Sequence, residues 1–189
     1  MIILDIETKA GELTETYLSN LSAPKNYKDE EKIKEWMENK KKEVNRELAI
    51  DQDYSEIACI GVKIDDEPAK IVKLSELRDL VSEQIVTFNG KSFDLPILIK
   101  NGLKNKIDLP YVRLKEMTKK WNAVGHIDLI ELVSFNGQYK SLDEYLQIYL
   151  GIKKTPIDFN TCTQEELEAH CKEDCENTYK LFKFFEPTI

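Results

Sequence analysis

The start of the chain constrains the fold most. Ile2-Ile3-Leu4-Asp5-Ile6 reads as a buried strand, yet Asp5 and Glu7 set two carboxylates on it. Side chains at i and i+2 of a strand leave the same face, roughly 6 to 7 Å apart. Two carboxylates on one face of an apolar strand cannot both stay ionised in a core without compensation. Either the strand frays after Ile6 and Glu7 is solvated, or a cation lies against both. Hard oxygen ligands suit magnesium or manganese.

The rest of the chain supplies a sheet for that strand. Glu56 to Ile64 is a second strand. Asp65-Asp66-Glu67-Pro68 is a turn, and Lys70 to Leu74 pairs back as a hairpin. A short helix near Glu76 to Ser82 precedes the strand Gln84 to Phe88, which Asn89-Gly90 breaks. Pro96 suits the first position of the next helix, and Asn101-Gly102 ends it. His126 to Ile130 is another short strand. Ser141 with Glu144, and Thr163 with Glu166, are capping boxes, and Gly151 closes the helix that Ser141 opens. A hairpin group followed by strands alternating with helices predicts an α/β fold, a mixed sheet flanked by helices.

The 189 residues suit one domain, residues 1–189. Residues from about 11 to 51 read as a charged helical insertion packed on it. Asp29 to Leu48 is its helix, capped by Asp29, with a thin seam of Ile33, Trp36, Met37 and Val44. Lys40, Lys41 and Lys42 sit among glutamates, as on a solvated helix face. Cys171 and Cys175 fall on the apolar stripe of the terminal helix, so a core role is expected for them.

Charge limits the partners. The net charge of -8 argues against coating nucleic acid through bulk positive charge. The exception is the stretch from Lys100 to Lys120, where seven basic residues face Asp108 and Glu116. It is expected to meet phosphate groups of a partner, with Lys119 and Lys120 as contacts. No apolar run approaches the ~20 residues of a membrane span. The N-terminus lacks a basic signal region, so a cytoplasmic protein with reduced thiols is expected.

Two further elements carry acidic residues where ligands bind. Thr87-Phe88-Asn89-Gly90-Lys91-Ser92-Phe93-Asp94-Leu95-Pro96 runs from a strand end to a helix N-terminus, where the dipole favours the anion of Asp94. In His170-Cys171-Lys172-Glu173-Asp174, His170 and Asp174 are one turn apart on one helix face, bordering the core.

The order of these three elements resembles the DEDD superfamily of 3'-to-5' exonucleases, which have the RNase H-like fold. Ile3 to Thr8 is similar to the first exonuclease motif, Thr87 to Pro96 to the second, and Glu173-Asp174-Cys175 to the third. The second motif is most similar to the exonuclease domains of family B DNA polymerases and to stand-alone bacterial and phage proteins related to them. Pro24 to Asp29, with the charged helix after it, resembles the inserted segment of those stand-alone proteins. The resemblance implies that Asp5, Glu7, Asp94 and Asp174 bind two divalent cations, Mg2+ or Mn2+. It implies release of nucleoside monophosphates from the 3' end of single-stranded DNA or RNA, DNA favoured. Thr8 would lie near the terminal sugar, and Asn89 and Phe93 would shape the terminal nucleotide site. With no room for a polymerase domain, a stand-alone enzyme is expected; any replication or repair partner is unknown.

The pattern departs at His170. The tyrosine branch of the superfamily has Tyr four residues before the last Asp; the histidine branch has His five before it. Here a His stands at the tyrosine spacing. An imidazole can serve as general base on the attacking water. His126 with Asp128 reads as a structural pair at a strand edge, and Trp36 and Trp121 as amphipathic packing. The alternative function is a catalytically weak or inactive exonuclease-like module that binds nucleic acid or a partner. An acidic helical adaptor using Asp29 to Leu48 is another.

Overall fold

The computed structural model describes residues 1–188. Its strands are β1 (Ile2–Ala10), β2 (Ser55–Ile64), β3 (Lys70–Val72), β4 (Ile85–Thr87) and β5 (His126–Asp128). They form one sheet in the order β3-β2-β1-β4-β5. β2 pairs with β3 antiparallel, whereas β1–β4 and β4–β5 are parallel. The α/β mixed sheet expected from the sequence is therefore present.

The described chain divides into two compact units, Met1–Glu7 with the chain from Cys59 onward, and Thr8–Ala58. In the smaller unit, α1 (Leu13–Ser19) and α2 (Glu30–Ile50) bury Leu18, Val44 and Leu48 together. Asp29 caps α2 by accepting from Glu31 N and Lys32 N. Ahead of the expected helix, Leu13–Ser19 is also helical, with Thr14 and Leu18, one turn apart, both buried. β1 likewise runs on to Ala10 rather than stopping at Ile6.

In the larger unit, α3 (Leu77–Leu80) leads to β4, whose three residues are all buried. The helices α4 (Asp94–Lys104), α5 (Tyr111–Met117), α6 (Leu129–Val133), α7 (Leu142–Leu150) and α8 (Gln164–Phe185) follow. Ile3, Val86, Leu129, Leu146, Cys175 and Leu181 belong to one buried cluster, which locks α7 and α8 to the sheet. Cys171 and Cys175 are buried free thiols, as their place on the apolar stripe suggested. Lys63 is buried on β2, where its Nζ pairs with Glu176 of α8 at 3.2 Å.

Three boundaries differ from the sequence expectation. α4 starts at Asp94, so Pro96 is its third residue, a position whose missing N–H costs no intrahelical bond. It also continues through Gly102, which is buried against Leu109 and Tyr111. The strand expected over 126 to 130 stops at Asp128, whose carboxylate accepts from Ile130 N at 3.4 Å and starts α6. α5 lies within the basic stretch from Lys100 to Lys120. Both capping boxes form as expected, and Gly151 ends α7 with φ 66°, in the left-handed region.

Candidate active site

The parallel strands β1, β4 and β5 bring their carboxyl ends to one edge of the sheet, where open α/β sheets bind ligands. Asp5 and Glu7 lie on β1, just beyond its last paired residue with β4, Ile3. Past that pairing, Ile6 N donates to Asp94 Oδ1 at 2.9 Å. That bond fixes the Asn89–Asp94 loop against β1 and delivers Asp94, 3% exposed, to the same place.

The terminal helix supplies the other wall. Its close approach to β2 is set at Gly61, where a Cβ would stand 2.8 Å from Cys175 Sγ and 2.9 Å from Cys171 Sγ. Only a residue without a side chain lets α8 settle at that depth. The Cys171 thiol contacts Asp5 O at 3.6 Å. Asp174, 8% exposed, follows on the same helix, one turn after His170. His170 Nε2 stands 3.9 Å from Glu7 Oε1 and 3.8 Å from Asp174 Oδ2. One ligand atom from each of Glu7, His170 and Asp174 lies within 4.8 Å of the other two.

The electrostatics record how tightly the charges are gathered. Burial, then the charge of Asp174, pushes the Asp5 carboxyl up to about 7. Burial, then Asp5 and Asp174, pushes Glu7 up to about 9. Asp94 is raised well above the usual carboxylate range, by burial and then by Asp5. Burial draws His170 below the ordinary imidazole value, with Asp174 opposing. Asp5 Oδ2 and Asp174 Oδ1 are buried without a hydrogen-bond partner. Buried oxygens left bare are costly unless something outside the protein binds them. Four carboxyl groups with two such oxygens fit hard divalent cations.

Lys154 was not found from the sequence. Its Nζ contacts Asp174 Oδ2 at 2.6 Å, and its backbone N donates to Asp143 Oδ1 at 2.9 Å. The lysine lies in the irregular segment between α7 and α8, twenty residues from its partner, where neither periodicity nor a motif marks it. Phe159, from the same segment, packs edge-on to the His170 ring, 5.5 Å between centroids.

The remaining expected residues are placed as follows. Asn89 takes φ 67°, and its N–H donates to Asp128 Oδ1 at 2.6 Å. Lys91 N donates to the other Asp128 oxygen at 2.9 Å, so Asp128 fastens the loop that carries Asp94. Phe93 is half-buried beside Asp94 at the head of α4. Thr8 falls in the smaller unit, where its hydroxyl donates to Ala49 O at 2.6 Å. Lys119 is exposed and paired with Glu116, and Lys120 lines a pocket with Asn89 and Trp121. His126 is fully buried between Thr87 Oγ1 (2.8 Å) and Met117 O (3.1 Å), and burial lowers it to about 4. It is a neutral structural imidazole, as the sequence suggested, but its partners are Thr87 and Met117 rather than Asp128. The packing expected of Trp121 is not found: the side chain is 75% exposed.

Comparison with known proteins places this geometry in context. Residues 42–187 match a family described as predicted 3'-5' exonucleases related to the exonuclease domain of PolB. DNA polymerase 1 of Sulfolobus acidocaldarius is 28% identical over 151 residues, which is 71% of this chain and 17% of that protein. The structure of the family B DNA polymerase of Pyrobaculum calidifontis matches with a TM-score of 0.61 at 16% identity. That match covers 98% of this chain and 24% of the polymerase. The chain thus spans less than a quarter of either relative's length.

Proposed function

This chain belongs to the predicted 3'-5' exonucleases related to the exonuclease domain of PolB, and on that footing we propose that it removes nucleoside monophosphates from the 3' end of single-stranded nucleic acid, DNA favoured. The observation that carries this reading is the gathering of Asp5, Glu7, Asp94 and Asp174, with bare buried oxygens on Asp5 and Asp174. We read residues 1–189 as one exonuclease-like domain with a charged insertion at about 11–51.

In this proposal the four carboxylates hold two divalent cations, Mg2+ or Mn2+. Such ions, when bound, stabilise the attacking and leaving oxygens of a phosphodiester displacement. The chain's own groups do the rest. His170, kept neutral by burial, accepts a proton at Nε2 from the attacking water. Phe159 holds the imidazole plane. Lys154 orients the Asp174 carboxylate and offsets part of the local negative charge. Asn89 and Phe93 bound the terminal nucleotide, with the Phe93 ring available to stack on its base.

The test is release of monophosphates from 3'-labelled DNA and RNA oligonucleotides with Mg2+ or Mn2+, with Asp5→Asn as control. Metal-dependent release that Asp5→Asn abolishes supports the proposal. No release from either polymer with either metal overturns it. His170→Ala is expected to lower turnover at least about tenfold and to flatten the acid limb of the pH profile. Full turnover of that variant from about pH 6 to 9 removes the base assignment.

A further inference from the structure

Beside the Asn89–Asp94 loop lies a pocket of about 390 Å3, lined by Asn89, Ser92, Lys120, Trp121, Glu131 and Tyr139 among others. We propose that it is a second nucleotide subsite, in which Trp121 stacks on a base upstream of the 3'-terminal nucleotide and Lys120 faces the adjoining phosphate. This rests on the exonuclease reading and extends it to how the strand is held.

Trp121 is an unusual residue to leave in solvent. It is 75% exposed and takes φ 61°, a left-handed conformation that bulky residues rarely adopt. Such backbone persists only when its surroundings over-determine it. Here they do: Trp121 N donates to Glu131 Oε1 and Oε2, each at 3.2 Å. Glu131 is itself anchored by Lys91, a lysine only 5% exposed. An ion pair with a buried lysine and a half-buried glutamate thus holds the turn that presents the indole, while the indole itself is not packed into the core.

The chemistry of the walls suits a base. Both carboxylates that line the pocket are engaged by the protein. Asp128 accepts from Asn89 N and Lys91 N, and Glu131 from Lys91 Nζ and Trp121 N. Their charge is thereby partly answered, and Lys120 adds a positive one at the rim. The indole of Trp121 and the exposed phenol of Tyr139 offer flat aromatic faces, on which any base stacks without sequence preference. The volume is at the lower end of small-ligand sites and suits a single base rather than a duplex. Ser92 and Asn89 of the pocket belong to the loop that delivers Asp94. From Ser92 to Asp94 is two residues, at most ~7.6 Å of chain. The pocket therefore lies within about one nucleotide's reach of the loop that bears Asp94, which is where the proposal places the base upstream of the 3' end.

Two measurements test the proposal. In the Trp36→Phe background, Trp121 is the sole indole, and its fluorescence is followed during titration with octathymidylate, octauridylate and thymidine monophosphate without added metal. Octamer binding is expected to quench it and the mononucleotide not to. Separately, Trp121→Ala is expected to raise KM for octathymidylate about tenfold with kcat unchanged, and Trp121→Phe to restore part of the affinity. Hydrolysis of the p-nitrophenyl ester of thymidine monophosphate, which has no upstream base, should be unaltered in both variants. Absence of either the quenching or the KM effect overturns the subsite. Loss of all hydrolysis in the wild type overturns the exonuclease reading instead, and the quenching titration then still decides whether the pocket takes a single strand. Quenching by the mononucleotide equal to that by the octamers also overturns it, because the pocket would then be a terminal site.

Discussion

At the residue scale, the cost of crowding carboxyls sets the pH behaviour. Asp5 and Glu7 titrate in the folded chain near 7 and 9, above unfolded values of about 4. Between those values the folded chain keeps protons that the unfolded chain has lost, so stability falls as pH rises. His126 and His170 act in the opposite sense, since burial lowers both, but that gain is complete by about pH 6.5. In chelator, the melting temperature is therefore expected to drop from about pH 6.5 to 8, and added Mn2+ or Mg2+ to raise it most at the upper end. A flat melting temperature across that window, with no metal shift, would count against the carboxyl cluster as a cation site. Lys154 gives a second check. Lys154→Met removes the hydrogen bond to Asp174 Oδ2 while Oδ1 already has none, which should destabilise the metal-free protein by about 1–3 kcal/mol. The penalty should shrink when Mn2+ is present.

At the element scale, α8 carries His170 and Asp174, and its seat is what matters. Its start is secured by Thr163, whose hydroxyl accepts from Glu166 N, while Glu166 answers Thr163 N. Thr163→Ala is expected to cost about 1 kcal/mol in a denaturant melt with kcat preserved, because His170 lies nearly two turns further along. Gly61→Ala acts differently. The new methyl meets two buried sulfurs and pushes β2 and α8 apart, so it should cost about 1–3 kcal/mol and lower turnover as well. A Gly61→Ala protein with unchanged turnover would show that the helix can shift without disturbing its carboxylate.

At the scale of the whole molecule, the proposed exonuclease function requires an acidic chain to grip nucleic acid locally. Among the described residues no helix is long and apolar enough to cross a membrane. Part of the basic stretch is already committed: Arg113 donates to Ser82 O at 2.7 Å, and Lys119 pairs with Glu116. Lys120→Glu is therefore expected to raise KM for oligonucleotides and weaken its salt dependence more than Lys119→Glu does. Equal effects from the two reversals would place the strand along the helix rather than at the pocket.

The sequence by itself determined what depends on neighbours along the chain. The apolar run before Asp5, the two capping boxes and the i to i+4 spacing of His170 and Asp174 follow from backbone periodicity, which any short segment carries. Local spacing points to a helix end at Gly102 and a strand through Ile130, and the structure has neither, because tertiary packing overrides local punctuation. Tertiary structure alone decided which side chains share space. It brought Lys154 to Asp174 across twenty residues, and set Gly61 beneath the helix that bears His170. It also left Trp121 in solvent, with Glu131 and Lys91 holding its turn. Contacts between distant segments depend on the register of whole elements, and no local spacing encodes that.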